Sequence, residues 1–530
     1  MTKDNTTNKD IKENTAKPNV EKVFGTEEMA TFCKSKGFIY TNSEIYGGMK
    51  GFFDYGPLGS ELKKNLKDYW WKFHVQNRED IVGIDGSIIT HPKVWEASGH
   101  VANFEDLMLE CSKCGDKVRA DVFIEDNLNI AADGMKADQI NKIVEDNNLI
   151  CEKCGGAFKR VVEFNLMFKT QVGPKADKES TAYLRPETAQ VIFTNFKNVV
   201  DNSRMKLPFG IAQIGKAFRN EISPRNFLFR CREFEQMEIE YFIHPKDINN
   251  CPWIDEVMDH EVKIYSSEMQ ENNINTDGEV YSIKKALTEG IIKTEWHAYW
   301  LALEHKWFIE LGATADKFRI RQHITTEKSH YALDTWDLEY KFPWGWKELQ
   351  GMANRTDFDL QQHMKHSKKD MSIFDEESKE KVVPHVVAEP SQGVDRAILV
   401  FLFDAYEDDK ERGNIVLHLS PKLAPTKLGV FPLMNKLKDQ GYEVFKSLQE
   451  DFVCQFDRSG SVGKRYARAD EIGIPYCITV DFDYEEKGTV TIRDRESTKQ
   501  IIVKKDDLKG VVRKLLSGDI DFEKAGKLKE

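Results

Sequence analysis

At 530 residues, with 40% hydrophobic and 11% aromatic content, the chain has enough apolar material for two to four packed domains. A net charge of −12 argues against indiscriminate nucleic-acid binding, although a basic patch on an acidic body stays compatible with it. The longest apolar run, Ala397–Phe403, is far too short to span a membrane and reads as a buried helix.

Residues 1–20 are polar, lack the apolar core of a signal peptide, and predict a disordered tail. Of nine cysteines, four fall in two CxxC pairs, and Cys33, Cys231, Cys251, Cys454 and Cys477 are scattered. That usage suits a reducing compartment and predicts a cytoplasmic protein. Phe24–Lys36 predicts a helix, followed by a Gly- and Tyr-rich segment over Ser43–Gly59. Glu61–His74 spaces Leu62, Leu66, Tyr69, Trp70 and Phe73 as the heavy apolar face of an amphipathic helix. A strand over Asp85–Thr90, closed by Pro92, follows. Helix and strand suit either ordinary core or an oligomer interface.

Cys111-x2-Cys114 and Cys151-x2-Cys154 are each followed by glycine, which permits a tight thiolate knuckle. Four thiolates so paired suit tetrahedral zinc, within an insertion over 109–157 whose intervening loop must carry its own structure. A redox role is weaker, because redox CxxC motifs come singly beside a βαβ unit. Thr181–Leu184 predicts a strand leading to a helix with Pro186 in its first turn and Glu187 near its positive end.

Ile211–Phe242 reads as an antiparallel hairpin with its ionic residues placed by parity. Gln213, Gly215, Ala217, Arg219 and Glu221 share one face, and Phe234, Gln236, Glu238 and Glu240 share one face of the return strand. Gly215 and Ala217 leave space in which a ligand could approach the backbone. Arg219, Arg225, Arg230 and Arg232 supply forked donors for phosphate or carboxylate. A solvated, salt-bridged hairpin is the plain alternative; Phe234 beside Glu238 favours a floor for an anionic, planar ligand.

Residues 248–312 predict a helical insertion. Strands follow over Phe318–His323, Asp334–Tyr340 and Gly345–Gln350, and Val386–Ala388 leads through a Gly-containing turn, Glu389–Arg396, into the apolar helix. From Glu411 short strands and helices alternate, predicting a separate α/β domain over 411–530. That domain carries 22 Lys and Arg against 20 Asp and Glu, so it is the part favoured to meet a polyanion.

FRNE at Phe218–Glu221 with Arg230-x3-Phe234 resembles motif 2 of the class II aminoacyl-tRNA synthetases; Gly393–Arg396 resembles motif 3, and the stretch ending at Pro92 motif 1. FFDYGPLG, RADVFIE, LRPETAQ, REFEQMEIEYF, GWKELQGMANRTDFDL and EPSQGVDR narrow the likeness to the homodimeric glycyl-tRNA synthetase family, and LSPKLAPTKLG and GTVTIRDRES resemble its anticodon-binding domain. The resemblance implies an α+β fold: a class II antiparallel sheet flanked by helices over 21–410, then an anticodon-binding domain over 411–530. It also implies adenylation of glycine with ATP and Mg²⁺, transfer to tRNA(Gly), and a homodimer.

For ATP the resemblance implies Arg219, Asn220, Glu221, Phe229, Arg230, Cys231, Arg232, Glu233, Phe234, Glu348, Leu349, Gly393, Val394, Asp395 and Arg396. Arg219 and Arg396 would be catalytic, Phe234 and Arg396 would sandwich adenine, and Glu348 would contact Mg²⁺. For glycine it implies Arg119, Glu187, Phe234, Glu235, Gln236, Met237, Glu238, Arg355, Glu389, Pro390, Ser391, Gln392 and Gly393. Two alternatives are another small-amino-acid synthetase, against which EPSQG and RPETAQ argue, and a catalytically silent synthetase-like nucleic-acid-binding or accessory protein. Arg219, Arg230 and Arg396 argue against silence.

Overall fold

The computed structural model describes residues 24–128, 130, 132, 134–174, 180–272, 274–324, 334–376 and 378–529. The tail predicted over residues 1–20 lies outside the described residues. A nine-stranded sheet organises the chain: β1 (Ile81–Ile84), β2 (Phe209–Phe218), β3 (Glu233–Ile243), β4 (Glu261–Tyr265), β5 (Glu279–Ser282), β6 (Phe318–Gln322), β7 (Thr335–Phe342), β8 (Gly345–Ala353) and β9 (His385–Gly393). Their order is β5-β4-β6-β7-β8-β9-β3-β2-β1. Only β1–β2 and β4–β6 are parallel; the other neighbours run antiparallel.

Helices α1 (Thr26–Lys36), α2 (Pro57–Trp71), α3 (Ala189–Ser203), α4 (Glu295–Glu310), α5 (Phe358–Ser367) and α6 (Val394–Ala405) flank the sheet. One face buries Met237, Ile239 and Tyr241 against Leu62, Leu66 and Trp70 of α2, Trp296, Trp300 and Trp307 of α4, and Ile398 and Leu402 of α6. Helix α4 is buried on most sides, His297, Glu304 and His305 included, and the Thr294 hydroxyl caps it by accepting from the His297 N–H. On the opposite face Ile192, Phe193 and Phe196 of α3 pack on Phe209, Ile211 and Phe242. The part of that face left uncovered carries the polar cavity.

Several elements differ from the sequence reading. Residues 248–312 are not simply helical: β4 extends the core sheet by pairing with β6 across about fifty intervening residues, and β5 pairs with β4 at the edge. The predicted turn at Glu389–Gly393 is the end of strand β9, which passes directly into α6. The strand expected over Asp85–Thr90 splits into Ile81–Ile84 and Ile89–Thr90, and Pro92 opens a short helix. Pro186 precedes α3, which starts at Ala189.

Residues 105–165 form a small layer of their own, with strands Glu105–Glu110, Lys117–Arg119 and Val162–Asn165. Helices Ala120–Leu128 and Ala137–Asp146 lie between the cysteine pairs over a core of Leu109, Phe123, Ile124 and Ile140. Towards the C-terminus, Tyr406–Asp409 and Asn414–Leu417 form a hairpin, and Leu417, Leu419 and Leu423 are buried in the main core. The predicted boundary at 410/411 therefore falls in a turn of the first body.

A second sheet begins at β10 (Leu428–Pro432), which the sequence reading missed, and continues with β11 (Cys454–Phe456), β12 (Tyr476–Val480), β13 (Thr489–Asp494), β14 (Gln500–Lys504) and β15 (Lys527–Leu528), ordered β11-β10-β12-β13-β14-β15. It packs with α7 (Lys438–Gln449) and α9 (Leu508–Ser517), while α8 (Val462–Glu471) contributes Ala469 to a smaller cluster with Phe431. No helix among the described residues is long and apolar enough to cross a membrane.

Candidate active site

The strand register fixes the site. Gln213 stands opposite Glu238, Gly215 opposite Gln236 and Ala217 opposite Phe234, so these side chains share one face as parity requires. On the other side of β3, Glu238 stands opposite Ser391. The resulting cavity, about 290 Å³, is lined by Glu187, Arg219, Glu221, Phe229, Arg230, Cys231, Phe234, Gln236, Glu238, Glu348, Leu349, Arg355, Glu389, Ser391, Gly393, Asp395 and Arg396 among the sequence candidates.

Its two ends carry opposite charge. At one end stand Arg219, Arg230 and Arg396. The Arg219 guanidinium lies 5.4 Å from the ring centres of both Phe104 and Phe234, and its Nε donates to the Pro186 carbonyl at 3.0 Å. Arg230 is only 4.0 Å from Glu221; burial, with Arg119, Arg396 and Arg225 nearby, makes its charge harder to hold despite Glu221. A concentration of cations disfavouring one another is a seat for a polyanion. Arg396 lies over the Phe229 ring at 4.5 Å and donates to the Glu348 carbonyl at 2.9 Å.

At the other end lie Glu187, Glu238 and Glu389. Burial opposes ionisation of Glu187, but His100 at 3.2 Å, together with Arg355 and Arg219, holds its carboxyl well below the ordinary range. Burial raises Glu238, and the Glu187 charge adds to that, against the Ser391 and Thr188 hydroxyls that donate to it. Burial pushes Glu389 up to about 8 although Arg355 Nη1 donates to both its oxygens at 2.9 and 3.0 Å. Arg355 is itself gripped by Asp359 through Nε and Nη2 at 2.7 and 2.9 Å. Gln236 Nε2 donates to Ser391 Oγ at 3.1 Å.

Other candidates are placed elsewhere. The room beneath Gly215 holds no ligand space: a Cβ there would meet Arg185 Nη2 at 2.1 Å, because that buried guanidinium fills the gap. Glu235 faces the opposite side, paired with Lys63 and Lys67 at 2.9 Å. Met237 and Val394 belong to the core, and Gln392 shares the far face with them, opposite Met237 and Gln350. Pro390 pairs with Met352 in the sheet. Arg119 grips Asp121 in a bidentate pair outside the cavity lining. Arg232 donates to the carbonyls of Glu221 and Lys50, bracing the loop, and Glu233 pairs with Lys216. The Asn220 N–H is spent on the Leu166 carbonyl. Asp395 does line the cavity, but its carboxylate is held by Tyr55 and by the Glu235 N–H at 2.9 Å.

The sequence reading missed Phe104, His100, Thr188, Asp359, His323 and Asp337. Only Asp359, four residues after Arg355, had a local signal. His323 Nε2 meets Asp337 Oδ2 at 2.7 Å inside the cavity, and burial, with the Glu348 charge, raises Asp337 to about 6 against the pull of His323. The four cysteine sulfurs gather within 4.8 Å of one another, with Cys111–Cys154 at 3.5 Å and Cys114–Cys151 at 3.7 Å. Tetrahedral zinc with Zn–S near 2.3 Å spaces its sulfurs by about 3.8 Å, so this set fits that ion.

Residues 168–404 match the model of the class II tRNA synthetase core domain (G, H, P, S and T), and residues 427–515 match the anticodon-binding domain. The fold and site thus define a class II aminoacyl-tRNA synthetase. Among curated relatives, the glycine–tRNA ligase of Acetivibrio thermocellus is 44% identical, covering 91% of this chain and 96% of its own length. That of Caldanaerobacter subterraneus subsp. tengcongensis is 44% identical over 90% and 95%, and that of Clostridium kluyveri 43% identical over 92% and 97%. The chain belongs to the glycine–tRNA ligase family.

Proposed function

We infer that the chain is an ATP-dependent glycine–tRNA ligase, and we propose the following division of labour in its site. The observation that carries the reading is a single cavity with three arginines at one end and three glutamates at the other, a shape suited to a nucleotide triphosphate meeting a small ammonium-bearing acid. The glycine carboxylate, already ionised, attacks the α-phosphorus of ATP; a C–O–P bond forms and the bond to the pyrophosphate breaks. No general base is required, so catalysis is positioning and charge neutralisation.

Arg219, locked between two rings, holds the α-phosphate and glycine carboxylate through transfer; Arg230 and Glu221 fix the nucleotide. Adenine lies between Phe234 and Arg396, which requires Arg396 to leave its position over Phe229. Glu187, Glu238 and Glu389 surround the ammonium, with Ser391 beside them. Filling that space excludes a methyl, so alanine is rejected by overpacking worth about 1–3 kcal/mol.

Glu348, its side chain half exposed at the cavity rim with Asp337 nearby, offers the hard oxygen donors Mg²⁺ prefers; bound there, the ion would neutralise phosphate charge. The four cysteines would hold structural zinc. The body beginning near Lys427 would read the tRNA anticodon. Nine free cysteines suit the cytoplasm. The sheet ends at β1, with exposed Ile88 and Ile89 just beyond it, an edge that the partner of a homodimer would cover; the aromatic face of α2 is buried within its own core instead.

Glycine-dependent exchange of pyrophosphate into ATP tests the reading: exchange with glycine and not with alanine or serine is expected, and its absence in active, metal-replete protein would overturn it.

A further inference from the structure

Beneath the glutamates that face the cavity lies an acid to which the roles above give no task. Glu240 follows Glu238 on the same face of β3 and is 0% exposed. Neither of its carboxylate oxygens has a hydrogen-bond partner among the described residues, and its ligand atom lies within 4.8 Å of those of Glu238 and Glu389. The charged groups around it are Glu389 from β9, Arg355 from the segment after β8, Glu238 from its own strand and Asp359 from α5. Opposite it across β2 stands only Ile211.

Arg355 is the one cation in this set, and all three of its nitrogens are engaged, by Asp359 and Glu389. Four ionised carboxylates around one guanidinium, all of them buried, cost more than the pairings return. The charge must be removed, and a proton removes it without an entry path. Glu240 is the member to hold that proton, because the others each have a donor for their anionic form: Arg355 for Glu389 and Asp359, Thr188 for Glu238. Burial and the neighbouring Glu389 act in the same direction, raising Glu240 well above the carboxylate range.

We propose that Glu240 is a positioning residue that stays protonated in the working enzyme and donates its O–H into the Glu238–Glu389 pair, leaving those two carboxylates to face the glycine ammonium. The proposal rests on the glycine-site reading given above. It parallels the general rule that close carboxylates share a proton rather than both ionise, and it gives the site a fixed charge without a second cation.

The test compares Glu240→Ala with Glu240→Gln in the full-length protein by glycine-dependent pyrophosphate exchange. Ala removes the donor and is expected to raise the KM for glycine about tenfold or more, with the KM for ATP within about twofold. Gln, which keeps an N–H donor and no charge, is expected to restore most of that loss. Infrared difference spectra taken above about pH 9, where Glu389 and Asp337 are ionised, should show the carbonyl stretch of a protonated carboxylic acid in the wild-type protein and not in Glu240→Gln. The proposal is overturned by a Gln variant as impaired as Ala, by a parallel rise in the KM for ATP, or by a carboxylic-acid band that persists in the Gln variant. Should the Ala variant fail to fold, the Gln kinetics and the spectrum decide. Failure of the glycine reading looks different, because wild-type protein would then show no glycine-dependent exchange.

Discussion

The Arg185 guanidinium occupies the place that a side chain on Gly215 would need. It is almost completely buried, its Nε donates to the Lys216 carbonyl at 2.6 Å, and its Nη1 donates to the Gly86 carbonyl at 2.7 Å. Those bonds tie β2 to the turn that carries Glu187 and Thr188. Gly215→Ala sets a methyl 2.1 Å from Nη2 and 3.1 Å from Cζ, and the pinned guanidinium has no free direction in which to yield. We expect a loss of about 1–3 kcal/mol, read as a lower Tm, together with weakened glycine activation as the turn shifts. Wild-type stability in this variant would show that Arg185 moves freely.

Glu238 receives the Thr188 hydroxyl and faces Ser391 across the strand, so Glu238→Gln keeps the shape and removes the charge. The lost charge-assisted contact to the ammonium is worth about 2–3 kcal/mol, or about 30–150-fold in kcat/KM for glycine, with the KM for ATP nearly unchanged. Steady-state exchange with each substrate varied measures both; an unchanged glycine KM and rate would remove Glu238 from the ammonium site.

How far the sequence could be read depended on whether each signal was local. The period-2 alternation placed Gln213, Gln236, Glu238 and Glu240 on one face, because a register slip would bury Glu238 in the apolar core, whereas Glu235, expected at the glycine, faces Lys63 and Lys67 on the other side. What fills the gap at Gly215 was not legible, since Arg185 comes from thirty residues earlier and nothing local marks it. β10, LGVFP, was not read as a strand: its Gly and Pro are weak strand residues, and tertiary pairing with β11 and β12 overrides that preference. His100 and Phe104, which touch Glu187 and Arg219 from the segment just before strand Glu105–Glu110, had no signal at all. Arg219 and Arg230 were legible as part of a local cluster of forked donors, and Arg396 and the three glutamates through the family motifs they sit in; all six line one cavity.

The raised carboxyl of Glu389 gives a pH dependence with a definite sign. In the free enzyme burial holds it near 8, with Glu238 and Glu187 adding and Arg355 opposing. A bound ammonium favours the ionised form, so protons compete with glycine. kcat/KM for glycine should therefore rise between about pH 6 and about pH 8, by at most about tenfold per unit for a single proton, and level off above. In the complex the ammonium lowers the same carboxyl, so kcat should stay flat across that window. A flat kcat/KM profile would mean that Glu389 is already ionised when glycine arrives.

Where the chain is cut decides what a truncation reports. Removing residues 411–530 strips Leu417, Leu419 and Leu423 from the main core and leaves Asn65 without the Leu423 and Ala424 carbonyls to which it donates at 3.2 and 3.0 Å. Each lost leucine costs about 2–5 kcal/mol, enough to unfold a domain. A chain ending at Thr426 keeps all of these contacts. It should retain pyrophosphate exchange and lose charging of tRNA; charging at the wild-type rate would show that the C-terminal body does not recognise the tRNA.

Metal removal tests the cysteine cluster through a distant consequence. Strand Glu105–Glu110 runs from Phe104, which lies against Arg219, directly into Cys111. Its neighbour Lys117–Arg119 leaves the first knuckle three residues after Cys114. Four thiolates without an ion repel one another or revert to thiols, and the knuckles lose the tie that fixes both strands. Purified protein should carry about one equivalent of zinc. Stripping it with a chelator should lower exchange about tenfold, mainly through kcat, as Phe104 releases Arg219, and added Zn²⁺ should restore it. Cys154→Ser should reproduce the loss without rescue. Full exchange activity in protein holding far less than one equivalent of metal would separate the cluster from catalysis.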